Sequence, residues 1–112
     1  MEISANFDSG NIIFDSQATS DTSNHAYLSI RKDKDAMFLQ WFSFRAQNVN
    51  GIPLILHITN AHEAFSTEGW KGYEACASYD RENWFRCDTQ YDGKELTISL
   101  RPEHKTIYFA YF

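Results

Sequence analysis

At 112 residues the chain is long enough for one domain that buries about two-thirds of the surface its unfolded form exposes. Nine Phe, six Tyr and three Trp supply a core, and only two Pro and five Gly argue against disorder or low complexity. The formal net charge of -5, with Lys and Arg scattered among fifteen acids, excludes the basic surface that nucleic acid or an anionic membrane requires.

Apolar residues recur with period two in short runs, which predicts strands. The turn Asp8-Ser9-Gly10-Asn11 precedes Ile12, Ile13 and Phe14, and the polar stretch 15–24 reads as a surface loop. A strand is expected over 27–31, followed by a charged turn at 32–35. A longer strand over 37–45 places Phe38, Phe42 and Phe44 on one face and Met37, Leu39 and Trp41 on the other. Asn48-Val49-Asn50-Gly51 reads as a hairpin-type turn, because Asn and Gly tolerate positive φ.

Beyond it, Leu54, Leu56 and Ile58 alternate with Ile55, His57 and Thr59, and the stretch 60–72 reads as irregular or briefly helical. Strands are expected around 74–79 and 83–87. The cleanest alternation comes next, with Leu96, Ile98 and Leu100 inward and Glu95, Thr97 and Ser99 outward. The last strand is expected over 105–112 and is apolar on both faces over 107–112, so a covering element is expected further along a longer chain. Its backbone and apolar groups also predict self-association of the isolated chain by edge pairing. The sum is one all-β domain over 1–112, an antiparallel β-sandwich of about eight or nine strands.

Residues with chemical potential give few patterns. His57, His62 and Glu63 come nearest to a metal cluster, but neither His-Glu-x-x-His nor His-x-x-Glu spacing occurs, so no metal site is assigned. If Arg81-Glu82 forms a two-residue turn, Cys76 and Cys87 face each other across the hairpin. Paired thiols fit a reducing compartment better than a disulfide does. No Gly-x-Ser-x-Gly elbow or Gly-rich phosphate loop is present. His25, His57, His62 and His104 lie far apart in sequence, so a self-sufficient hydrolase requires His and acids from separate strands to converge. Trp70, Tyr73, Tyr79 and Trp84 offer a stacking platform for a glycan, or else belong to the core. The start of the chain shows no basic stretch leading into an apolar run, and no segment has the length of a membrane-spanning helix. A cytoplasmic location is therefore expected.

The segment Tyr73-Glu74-Ala75-Cys76-Ala77-Ser78-Tyr79-Asp80-Arg81-Glu82-Asn83-Trp84-Phe85 resembles part of the N-terminal β-sandwich domain of cytosolic carboxypeptidase-like enzymes of the M14 group. Phe7-Asp8-Ser9-Gly10-Asn11, Gln40-Trp41-Phe42-Ser43-Phe44-Arg45, Ile58-Thr59-Asn60-Ala61 and Tyr108-Phe109-Ala110-Tyr111-Phe112 are similar to further stretches of that domain, in the same order. The resemblance implies an accessory domain without catalytic or metal residues of its own. Its partner is then its own C-terminal carboxypeptidase domain, where the zinc lies. It further implies that the parent removes C-terminal residues, glutamates in some members. Tyr108, Tyr111 and Phe112 are the candidates at the domain junction, and Trp70, Tyr73, Asp80 and Arg81 are candidates in loops reaching it. A stand-alone module binding a glycan or peptide is the alternative.

Overall fold

The computed structural model describes residues 1–6, 10–30, 42–49, 51–63 and 67–111. Among these residues ten strands form: β1 (Glu2–Ser4), β2 (Ile13–Thr19), β3 (Asn24–Ser29), β4 (Ser43–Gln47), β5 (Leu54–Ile58), β6 (Cys76–Ser78), β7 (Phe85–Arg86), β8 (Asp88–Tyr91), β9 (Leu96–Leu100) and β10 (Thr106–Ala110). Two short 3-10 turns, Ala61–Glu63 and Thr67–Trp70, lie between β5 and β6. The strands make two five-stranded sheets, a first ordered β1-β4-β10-β6-β7 and a second ordered β2-β3-β5-β9-β8. The sandwich expected from period-two patterning is what forms.

Alternation decides what each sheet buries. In the first sheet Phe44, Ala46, Ala77, Ile107 and Phe109 are fully buried. In the second, Ala26, Leu28, Leu54, Leu56, Ile58, Leu96 and Ile98 are their counterparts. The rings of Phe44 and Phe109 lie 5.2 Å apart across the β4–β10 pair, where the two residues are register partners. Burying a side chain of this size stabilises the fold by about 1.5–3 kcal/mol, so these two inner faces carry most of the driving force.

Pairing is antiparallel throughout, except that β3 and β5 run parallel. The cause is the route of the chain. β4 lies in the first sheet, so the chain crosses over and back before β5 returns beside β3 in the same direction. The turn expected at 48–51 is therefore not a hairpin, because it carries the chain from one sheet to the other. Its positive φ values, 61° at Asn48 and 85° at Gly51, are those the Asn/Gly composition anticipates.

Other expectations need correction. The stretch 15–24 is a loop only over 20–23, since 15–19 belong to β2, an edge strand exposed along its whole length, and Asn24 opens β3. Ser20 turns that chain back, its hydroxyl accepting the N–H groups of Thr22 and Ser23 at 3.2 and 3.1 Å. The hairpin between β6 and β7 is longer than two residues. Ala77 pairs with Phe85 and Cys76 with Arg86, so the cysteines are not opposite each other; both are free and buried. Arg81, at the middle of that connection, has φ 64°. The final strand, β10, is no edge: it is paired with β4 on one side and β6 on the other. Residues 31–41, including the turn at 32–35 and the first part of the expected 37–45 strand, lie outside the described residues, as does Phe112.

Candidate functional site

The candidate residues separate into two groups. The first surrounds the end of β10. Trp70 closes the second 3-10 turn and is 1% exposed, with its indole N–H donating to the Ala61 carbonyl at 2.9 Å. Its ring meets Tyr73 and Tyr111 edge-on, at 5.3 and 5.8 Å between centroids. Tyr73 and Tyr111 stack at 5.1 Å, and the Tyr73 hydroxyl donates to the Tyr111 carbonyl. Burial pushes the Tyr73 phenol well above its ordinary range, and neighbouring Cys76 and Tyr111 push the same way, so it stays a donor. Tyr111 also donates its backbone N–H to the Phe42 carbonyl at 3.0 Å. This aromatic group holds Tyr111, the residue after β10, in place.

The second group is the exposed β6–β7 connection. The Asp80 carboxylate accepts the backbone N–H groups of Glu82 and Asn83 at 2.9 and 2.8 Å, the Asn83 side-chain amide at 2.8 Å and the Ser78 hydroxyl at 3.0 Å. These donors, the Asn83 backbone N–H foremost, hold its carboxyl far below the usual carboxylate range. Arg81 places its guanidinium 5.3 Å from the Tyr108 ring centroid, joining this turn to the outward face of β10. Next to it Trp84 and Phe85 are 45% and 39% exposed. Phe85 packs on Tyr79, which in turn meets the His104 ring. The structure thus brings Arg81 to Tyr108 and Tyr73 to Tyr111 and Trp70. No single exposed row of Trp70, Tyr73, Tyr79 and Trp84 forms, because Trp70 is inside and Tyr73 and Tyr79 are half-buried.

A constellation that sequence spacing does not reveal lies on the outer face of the second sheet. Glu95 accepts a hydrogen bond from His57 Nδ1 at 2.8 Å, and His57 Nε2 lies 3.0 Å from His25 Nδ1. The three residues come from the edge of β9, from β5 and from β3. The early signal is the alternation that sets His57 apart from Leu56 and Ile58 and turns Glu95 outward; His25 precedes the strand expected over 27–31 and carries none. Tyr27 covers the His57 ring at 4.6 Å and 12°.

His57 engages both ring nitrogens, and His62 uses Nδ1 on the Lys94 carbonyl at 3.2 Å. Among the described residues no three His, Cys, Asp or Glu side chains are grouped to hold a metal ion. The donor set does not suit zinc. Burial and neighbouring Cys76 push the Cys87 thiol up to about 12, which keeps it a neutral packing group.

No helix among the described residues is long and apolar enough to cross a membrane. A protein of Shewanella denitrificans, provisionally named a carboxypeptidase A, is 46% identical with a TM-score of 0.90; the match covers 100% of this chain and 29% of that one. A metallo-carboxypeptidase of Pseudomonas aeruginosa, solved in complex with (2-guanidinoethylmercapto)succinic acid, is 38% identical with a TM-score of 0.90, over 100% of this chain and 29% of that one. An uncharacterised protein of Zymomonas mobilis is 38% identical over the whole chain, which spans 28% of that relative's length. Residues 3–112 match the family described as the cytosolic carboxypeptidase N-terminal domain, and the chain belongs to that family.

Proposed function

We propose that this chain is the non-catalytic N-terminal domain of an M14-type zinc carboxypeptidase, packing on its own C-terminal catalytic domain and helping to shape substrate access. The parent enzyme hydrolyses C-terminal residues of peptides or proteins in the cytoplasm, glutamate among them. The observation that carries this reading is the family match over 3–112 beside carboxypeptidase chains of which this domain covers only 28–29%. Zinc belongs to the catalytic domain in this reading, where it would supply a Lewis acid for the water and the scissile carbonyl. Tyr108, Tyr111 and Phe112 serve the junction, with Tyr73 reaching it from its loop. Trp70 acts from inside by bracing Tyr111. Asp80 and Arg81 form the loop contact, and the neighbouring exposed Trp84 and Phe85 supply apolar area for it.

The test is the full-length polypeptide encoded with this domain, assayed on peptides ending in Glu, Lys or Phe before and after zinc chelation. Zinc-dependent release of the C-terminal residue is expected, together with slowed hydrogen exchange over residues 78–85 relative to the isolated domain. A full-length chain without a His-x-x-Glu pair and later His, and without hydrolysis, overturns the reading. Hydrolysis with unchanged exchange at 78–85 overturns the proposed contact alone.

A further inference from the structure

The chain Glu95–His57–His25 has the geometry of a relay that ends on a nucleophile. The centroids of the two imidazoles are 5.2 Å apart, with 14° between their planes. With a 3.0 Å nitrogen–nitrogen contact, that separation leaves the rings edge to edge in nearly one plane, the arrangement of an in-plane N–H···N bond rather than a face stack. An ionised Glu95 only accepts, so His57 carries its hydrogen on Nδ1. With both rings neutral, His57 Nε2 then accepts from His25 Nδ1–H. His25 Nε2 is left as a bare lone pair. Thr97 donates to the same Glu95 oxygen at 3.3 Å, and Tyr27 holds the His57 ring from one side. The cross-strand neighbour of His25 on the edge strand β2 is Ala18, small and exposed. A nucleophile, a base within hydrogen-bond reach and a third group orienting the base is the pattern that activated nucleophiles share.

We propose that His25 Nε2 is an acyl-accepting site for small activated esters. The nitrogen lone pair attacks the ester carbonyl carbon. The new N–C bond forms as the C–O bond breaks, and the phenolate leaves with the electron pair. The N-acyl imidazolium then passes its Nδ1 proton to His57 Nε2, and the resulting His57 imidazolium faces the Glu95 carboxylate. Water cleaves the acyl–nitrogen bond, His57 returns its proton to His25 Nδ1, and the proton lost by water matches the phenolate released. The site is built from residues of this domain alone and is separate from the proposed carboxypeptidase reaction, to which the domain supplies no catalytic group.

The probe is 4-nitrophenyl acetate, used on the intact protein, with nitrophenolate release followed by absorbance and the adduct located by peptide mass spectrometry. Acetyl label is expected on the His25 peptide, at a rate at least about tenfold above that at the exposed His62 and His104, in line with general-base assistance. The excess rate is expected to fall about tenfold in Glu95→Gln and to vanish in His25→Gln. A scalar coupling between the 15N nuclei of His57 Nε2 and His25 Nδ1 in the unsubstituted protein reports the bond without any substitution. Equal labelling of all histidines, a folded Glu95→Gln variant with the same His25 rate, or no such coupling overturns the proposal.

Discussion

Tyr73→Phe removes one oxygen and leaves the ring contacts with Trp70 and Tyr111 in place. The Tyr111 carbonyl then loses the Tyr73 hydroxyl, and the expected cost is about 0.5–1.5 kcal/mol in urea unfolding. Asp80 gives a pH prediction with a definite sign. Its carboxyl is depressed in the folded chain, so the stability it contributes is complete above the unfolded value near 3.8 and is lost only as pH falls well below that. The amide shifts of Glu82 and Asn83 in an acid NMR titration should follow this loss, and Asp80→Asn should remove the dependence. That Asp80 and Arg81 lie in a connection between strands was legible in the sequence, whereas the hydrogen bonds Asp80 makes there were not. The placement of Trp70 was not: an aromatic ring between two loops reads the same whether it points in or out, and only the Ala61 carbonyl waiting at 2.9 Å decides it.

Strands were readable wherever one face is buried and the other is not. β5 and β9 announce themselves by Leu54, Leu56, Ile58 and Leu96, Ile98, all fully buried. β2 buries nothing along its length, so its residues carry no period, and its pairing to β3 comes from the Ser20 turn and backbone complementarity. The β6–β7 register was missed because turn length cannot be read from Arg81-Glu82 alone. A residue-level constraint between elements appears at Gly10, where a Cβ would sit 1.9 Å from the Ala5 carbonyl oxygen. Gly10→Ala must therefore displace Ala5 or residue 10 itself, next to Asn11, whose backbone bridges Ser43 on β4. An expected loss of about 1–3 kcal/mol, measured by thermal or urea unfolding, follows from overpacking against backbone.

For the molecule as a whole, the order of strands was beyond the sequence, because parity tells which face a residue takes and not which strand lies beside it. The parallel β3–β5 pair and the central place of β10 both follow from crossings between sheets, which leave no local signature. That placement moves the association expected of the isolated chain to other strands. β2 is the long exposed edge, with Ile13 and Phe14 40% and 43% exposed. If the domain self-associates, Phe14→Lys should weaken the association in sedimentation velocity, while Tyr108→Lys should not act through edge pairing. The position of β10 also orders events in time. Before it is inserted, β1–β4 and β6–β7 are two separate two-stranded ribbons, too small to be stable alone. During synthesis the first sheet of this domain therefore waits for β10, the last of its described strands in chain order, and the nascent domain spends that interval with Phe44 and Ala77 uncovered. The most vulnerable moment of this domain is the one just before Thr106–Ala110 is made, when a chaperone or a protease can reach it.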